Sequence, residues 1–113
     1  VTTLGKSYTD NFGLTSAAVA VASGSIAVML SAKSSLTNRD VMHILTRTAL
    51  NNMTLQYKVT DTPFVCNDAG FQVSLQYGFG LLNVEAMVEE AIRWENVGTR
   101  LDCRVDFYPK PFP

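Results

Sequence analysis

The chain has 113 residues, 47% of them hydrophobic and 17% charged, with a formal net charge of −1 and a pI near 5.7. That length bounds it to at most one domain, and the charge excludes a basic surface for nucleic acid or an acidic membrane. The opening Val1-Thr2-Thr3-Leu4-Gly5 is neither an initiator methionine nor a signal peptide, so a fragment, or a chain processed at its front, is expected.

Residues 1–12 predict a short strand, a turn at Leu4-Gly5-Lys6 and an extended approach to a helix. Gly13 to Ala32 reads GLTSAAVAVASGSIAVMLSA, without a broad polar face. An apolar segment of that kind predicts a helix over 17–32 buried on all sides. It falls short of the ~20 residues of a membrane span, and Ser23, Gly24 and Ser25 interrupt it, so no span is expected. Thr15 and Ser16 stand at its N-terminus, where free backbone N–H groups and the positive end of the helix dipole coincide. A Ser16 hydroxyl there is either a helix cap or a nucleophile beside an anion-stabilising site.

Lys33-Ser34-Ser35 predicts a surface turn. A second helix then starts at Thr37, with Asp40 three residues on in a capping-box pattern. Val41, Ile44, Leu45, Thr48 and Ala49 form its apolar face, with His43 and Arg47 on the other side. His43, the only histidine, reads as a partly exposed helix residue. Residues 50–70 read as a long connection containing the glycosylation sequon Asn52-Met53-Thr54, which makes Asn52 a candidate acceptor.

Phe71, Val73, Leu75 and Tyr77 alternate with polar residues and predict a strand with one buried face, ended by a tight turn at Gly78-Phe79-Gly80. Asn83 caps a third helix, with Glu85 in its first turn and an apolar stripe of Val84, Met87, Val88, Ala91 and Ile92. Glu89, Glu90 and Arg93 read as its solvated face. Residues 95–100 read as a linker. Leu101, Cys103, Val105 and Phe107 then alternate as in a new strand, which the prolines from Pro109 onward end. Cys66 and Cys103 are too distant for a CxxC motif. On spacing alone they are free to pair with each other, pair elsewhere or stay reduced.

Four stretches together resemble the subtilisin-like serine proteases, most closely the kexin/furin-like proprotein convertases. Val1-Thr2-Thr3-Leu4-Gly5-Lys6 is similar to the family's lead-in to its active serine. Thr15-Ser16-Ala17, with Gly24 eight residues after the serine, resembles G-T-S-A-x-x-P-x-x-x-G. Leu36-Thr37-Asn38-Arg39-Asp40 with His43 resembles L-T-W-R-D-x-x-H. Tyr77-Gly78-Phe79-Gly80-Leu81-Leu82, then Ala86-Met87-Val88, Ala91 and Trp94, resembles Y-G-x-G-L-L-D-A-x-x-M-V and its continuation. The order and spacing hold over residues 1–105.

The resemblance implies an α/β fold: the C-terminal helical part of a subtilisin-like doubly wound parallel-sheet domain over 1–94. A linker and the first strand of a β-rich P domain would come after it, over 95–113. It implies that Ser16 is the nucleophile of an endopeptidase that processes proproteins after basic residues in the secretory pathway. The triad aspartate and histidine, the oxyanion-hole asparagine, the calcium sites and the acidic specificity pockets would lie upstream, in the same catalytic domain. Calcium is thus implied for a parent enzyme, with no ligand assignable here. His43 matches the family's helix histidine, not its catalytic one. Gly24 would let the central helix pack closely on its neighbours. Cys103 would pair with a cysteine further on, so no Cys66–Cys103 bond is expected.

Leu14 stands at the signature glycine, Ala20 at the proline, Tyr8 at a disulfide cysteine and Phe12 at a histidine near the active site. These departures support an alternative, a catalytically inactive pseudoprotease with a binding or regulatory role. A third reading is an unrelated small helical binding domain. If the chain is part of a larger sheet domain, it should also show a large exposed apolar patch against the 17–32 helix or the 71–77 strand.

Overall fold

The computed structural model describes residues 1–51 and 63–98. The elements, in order, are β1 (Thr2–Leu4), β2 (Ser7–Thr9), α1 (Leu14–Ala32), α2 (Asn38–Thr48), β3 (Val65–Cys66), β4 (Gln72–Val73) and α3 (Val84–Arg93). The expected strand over 101–107, Cys103 and Asn52 lie outside the described residues.

β1 and β2 form an antiparallel hairpin with Thr2 opposite Thr9 and Leu4 opposite Ser7. Gly5 has φ +60 and Lys6 does not share a positive φ. A positive φ at the first of two loop residues is the pattern of a type II′ turn, whose twist matches that of the strands.

α1 is 19 residues long, about 28 Å at 1.5 Å per residue. Its length and composition would suffice to cross a bilayer, and the core helix of a soluble domain meets the same description. Among the described residues α1 buries one side, through Ala17, Ser25 and Met29. Val19, Val21 and Val28 are more than half exposed. The expectation of burial on all sides is therefore not met by these residues alone, because α3 packs on α1 and no other described element offers it a broad apolar face. Nor does any described residue approach Gly24, where an added Cβ would have open space. What this leaves along the helix is a set of exposed apolar side chains.

Local chemistry accounts for the other two helices. At α2 both halves of a capping box form: Thr37 Oγ1 accepts from the Asp40 N–H at 3.3 Å, and Asp40 Oδ2 accepts from the Thr37 N–H at 2.7 Å. At α3 the Asn83 side chain accepts from the Ala86 N–H at 3.2 Å. Glu85 sits in the first turn and Arg93 in the last, each favourable to the dipole. The core gathers Met29, Leu36, Val41, Ile44, Met87, Ala91 and Trp94, with Ile26, Leu30, Leu45, Leu82 and Val97 against it. Ile92 and Val84 of the expected α3 stripe stay on the exposed side. Glu90, read as solvated, is largely covered and bonds Arg93 Nε at 2.6 Å.

The 71–77 strand is cut short. β4 covers only Gln72–Val73 and pairs antiparallel with β3, which falls inside the stretch read as connection. The hairpin turn is held by the Asn67 side chain, which accepts from the Ala69 and Phe71 N–H groups at 3.1 and 2.9 Å. After Val73 the chain turns back on itself. Ser74 and Gly78 exchange backbone bonds of 2.8 and 2.9 Å, and the Ser74 hydroxyl accepts from the Gln76 and Tyr77 N–H groups. A hydroxyl that bonds its own backbone competes with a ladder, and Leu75 is left fully exposed at the tip. Stacked Phe64–Tyr77 and edge-on Phe71–Phe79 rings close this unit.

Gly80 joins it to the helices. Its φ is +123, and a Cβ there would lie 2.2 Å from the Leu50 carbonyl oxygen. Only glycine admits that approach, which brings Leu50 and Leu81 into reciprocal backbone bonds of 2.8 and 2.9 Å.

Candidate active site

Ser16 lies in the first turn of α1, exposed. The cap position belongs to Gly13, in extended backbone and with no side-chain bond to the helix. Ser16 is therefore not the cap. No acidic residue occupies the first turn. The first N–H groups of α1, that of Ser16 included, lack an intrahelical acceptor, and neither a capping side chain nor a carboxylate neutralises them. Among the described residues the Ser16 hydroxyl makes no hydrogen bond. An unobstructed hydroxyl beside free N–H donors at a positive helix end suits attack on a carbonyl and stabilisation of the oxyanion that results.

The backbone leading into that turn is unusual. Leu14 has φ +65 and is the only non-glycine among the described residues with a positive φ. For an L-residue with a Cβ the left-handed region costs about 1–2 kcal/mol. Leu14 is 93% exposed, so no packing of its side chain offsets that cost. The glycine of the resembling signature would adopt the same backbone freely.

His43 is not brought to Ser16. Its ring stacks on Trp94 with centroids 6.3 Å apart, on the face of α2 where the Arg47 guanidinium also lies 5.0 Å from the Trp94 ring. Trp94 ends α3 and donates from Nε1 to Asp40 Oδ1 at 2.9 Å. The same oxygen accepts from the Val97 N–H at 2.7 Å, while Oδ2 also accepts from the Thr37 hydroxyl at 2.6 Å. Burial alone would raise the Asp40 pKa; these bonds overcome it and hold the carboxyl well below the usual carboxylate range. Lys33 Nζ to the Trp94 carbonyl, Arg39 to the Gly98 carbonyl at 2.6 Å and Asn96 to the Ser35 carbonyl at 2.7 Å add to this node. They bind residues 94–98 to the start of α2 and to the turn before it. Sequence reasoning finds Asp40 only as part of a cap and misses its second role; a tryptophan at the end of an amphipathic helix is the available signal.

Among the described residues no three His, Cys, Asp or Glu side chains converge. Cys66 is an exposed free thiol.

Comparison with known proteins adds a family. The subtilase family profile matches residues 1–80. Proprotein convertase subtilisin/kexin type 5 of Homo sapiens is 41% identical over 102 residues, which is 90% of this chain and 5% of that protein. Proprotein convertase subtilisin/kexin type 7 of Mus musculus is 42% identical over 93 residues, 82% of this chain and 11% of that protein. Endoprotease aex-5 of Caenorhabditis elegans is 36% identical over 88 residues, 78% of this chain and 16% of that protein. The chain thus spans a small part of each relative it matches.

Proposed function

Because this chain belongs to the subtilase family, with kexin/furin-like proprotein convertases as its relatives, we propose that it is the C-terminal part of a serine endopeptidase's catalytic domain, and that Ser16 is the nucleophile. The observation that carries this reading is the exposed Ser16 hydroxyl, without a hydrogen bond among the described residues, in the uncapped first turn of an apolar helix. A histidine from the preceding part of the domain takes the Ser16 proton as Oγ attacks the scissile carbonyl, and an aspartate orients that histidine. The Ser16 N–H donates to the oxyanion. The histidine then returns the proton to the leaving amine, and water releases the acyl group from Oγ. The substrates are proproteins cut after basic residues, and the compartment is the secretory pathway. Both statements follow the resemblance of the motifs to the kexin/furin-like family rather than any residue of this chain.

The second reading, an inactive copy kept for binding or regulation, is favoured by one observation, the strained Leu14 backbone two residues before Ser16. A fluorophosphonate probe on the full-length protein separates the two. Labelling at Ser16 that disappears, together with proprotein cleavage, in Ser16→Ala supports the enzyme. Loss of the serine costs about a millionfold in a subtilisin-type triad, so the contrast is large. A folded full-length protein, with histidine and aspartate partners present, that takes no label at Ser16 is a pseudoprotease.

A further inference from the structure

The strain at Leu14 calls for a cause. Backbone held in a sparsely populated region persists only where its surroundings over-determine it, and such residues cluster at functional sites. Three local causes are absent among the described residues. The Leu14 side chain packs on nothing, being 93% exposed. Gly13 makes no side-chain capping bond that would demand the turn. No described neighbour crowds Gly13 on the other side, where an added Cβ would meet nothing within 4 Å. What the left-handed residue does accomplish is a sharp change of direction. The chain arrives extended at Gly13, with φ −154 and ψ −160, and leaves Leu14 as helix. That change sets the axis of the first turn of α1, and with it the direction of the Ser16 N–H and hydroxyl.

We propose that Leu14 is a positioning residue for Ser16, acting through its left-handed backbone and not through its side chain. The proposal rests on the reading of Ser16 as nucleophile. Residue 14 then tunes how well the Ser16 N–H meets the oxyanion, through how readily its backbone holds the left-handed conformation. Glycine and asparagine tolerate this backbone best, and a β-branched residue tolerates it least. The order of activities among substitutions is thus the order of left-handed tolerance, not of side-chain size.

The test uses the full-length protein with Leu14→Gly, Leu14→Asn and Leu14→Ile, each checked for a cooperative melt. Fluorophosphonate labelling rates and peptide kcat and KM are measured together with the Ser16 amide shift by NMR. Leu14→Gly and Leu14→Asn should label at least as fast as the parent. Leu14→Ile, similar in size to leucine, should lose kcat with KM held, by as much as about 100-fold if Ser16 is displaced by ~1 Å. Should Leu14→Ile fail to fold, Leu14→Val supplies the β-branched arm. Equal rates in the Gly and Ile variants, or slower labelling in Leu14→Gly, overturn the proposal. If the parent itself takes no label, the enzyme reading fails, and the amide shift decides separately. A Ser16 resonance kept in Leu14→Gly and displaced in Leu14→Ile upholds positioning, and one unmoved in both refutes it.

Discussion

Asp40 and Trp94 are 54 residues apart and share a buried hydrogen bond of 2.9 Å. The carboxylate that caps α2 thereby also fixes the end of α3 and, through the Val97 N–H at 2.7 Å, the segment beyond it. Asp40 exposes no surface, and its bond from Trp94 is made away from water, where an orphaned partner is costly. Trp94→Phe keeps the ring against His43 and Arg47 and removes one donor. It should lower the Tm of the full-length protein by about 2–4 °C. Asp40→Ala strands the Trp94 and Val97 donors and breaks the capping box at once, so its loss should be larger. Thermal melts of the two variants check the order, and an unchanged Tm in Asp40→Ala would mean that Asp40 does not hold α2 to the end of α3.

The same carboxylate predicts an acid limb. Its folded pKa lies well below the usual range because of the bonds from Thr37, Val97 and Trp94. A group depressed in the folded state contributes stability above its unfolded pKa of about 3.9, and that contribution fades as pH falls toward the folded value. Melting temperature should therefore be insensitive to Asp40 between about pH 5 and 7 and decline below about pH 4. Asp40→Asn should flatten that decline relative to the parent. Calorimetry across this range, with both proteins in the same buffers, reads it directly.

The features legible in the sequence are those made by neighbours along the chain. The Thr37–Asp40 and Asn83–Ala86 caps span three residues, the Gly5 turn two, and each rests on a residue type suited to it. The first-turn position of Ser16 is legible from the point at which apolar residues take over. Contacts between distant residues are not legible. Nothing near Asp40 announces Trp94, and nothing near Leu50 announces Gly80. The alternation over 71–77 overreaches because Ser74 bonds its own turn and, among the described residues, no neighbouring strand extends the ladder. Leu14 stands out as a departure at a glycine position, but leucine carries no local signature of a positive φ.

Gly80 offers a sharp test of the Leu50–Leu81 bridge. An alanine there would carry a Cβ 2.2 Å from the Leu50 carbonyl oxygen, at a φ of +123. Strain and overpacking together should cost about 2–4 kcal/mol. The Leu50 and Leu81 amides, which bond each other's carbonyls, should lose protection first. Hydrogen exchange on Gly80→Ala that leaves both amides as slow as in the parent would contradict the geometry.

Cys66 should react. It is exposed and unpaired, with a 3.6 Å approach of its thiol to the Asn67 carbonyl. Iodoacetamide should alkylate it in the folded protein without a reductant. Peptide mapping without reduction should find no cross-link between Cys66 and Cys103, and a linked pair of peptides would refute this.

Residues 1–113 by themselves should behave as an incomplete domain. α1 exposes Val19, Val21 and Val28, and β2 and the approach to α1 expose Tyr8 and Phe12. Contiguous apolar surface beyond a few hundred Å2 is unusual on a monomer. The isolated chain should therefore bind the dye ANS, self-associate on a sizing column and melt without a sharp cooperative transition. It should also fail to hydrolyse a dibasic fluorogenic peptide. A serine without an adjacent base is a weak nucleophile at neutral pH, and among the described residues no hydrogen bond joins His43 to Ser16. Trace hydrolysis that survives Ser16→Ala would mark a contaminant, whereas turnover abolished by Ser16→Ala would mean that a base lies within this chain. A compact monomer with a sharp melt would show that the exposed helix needs no further cover.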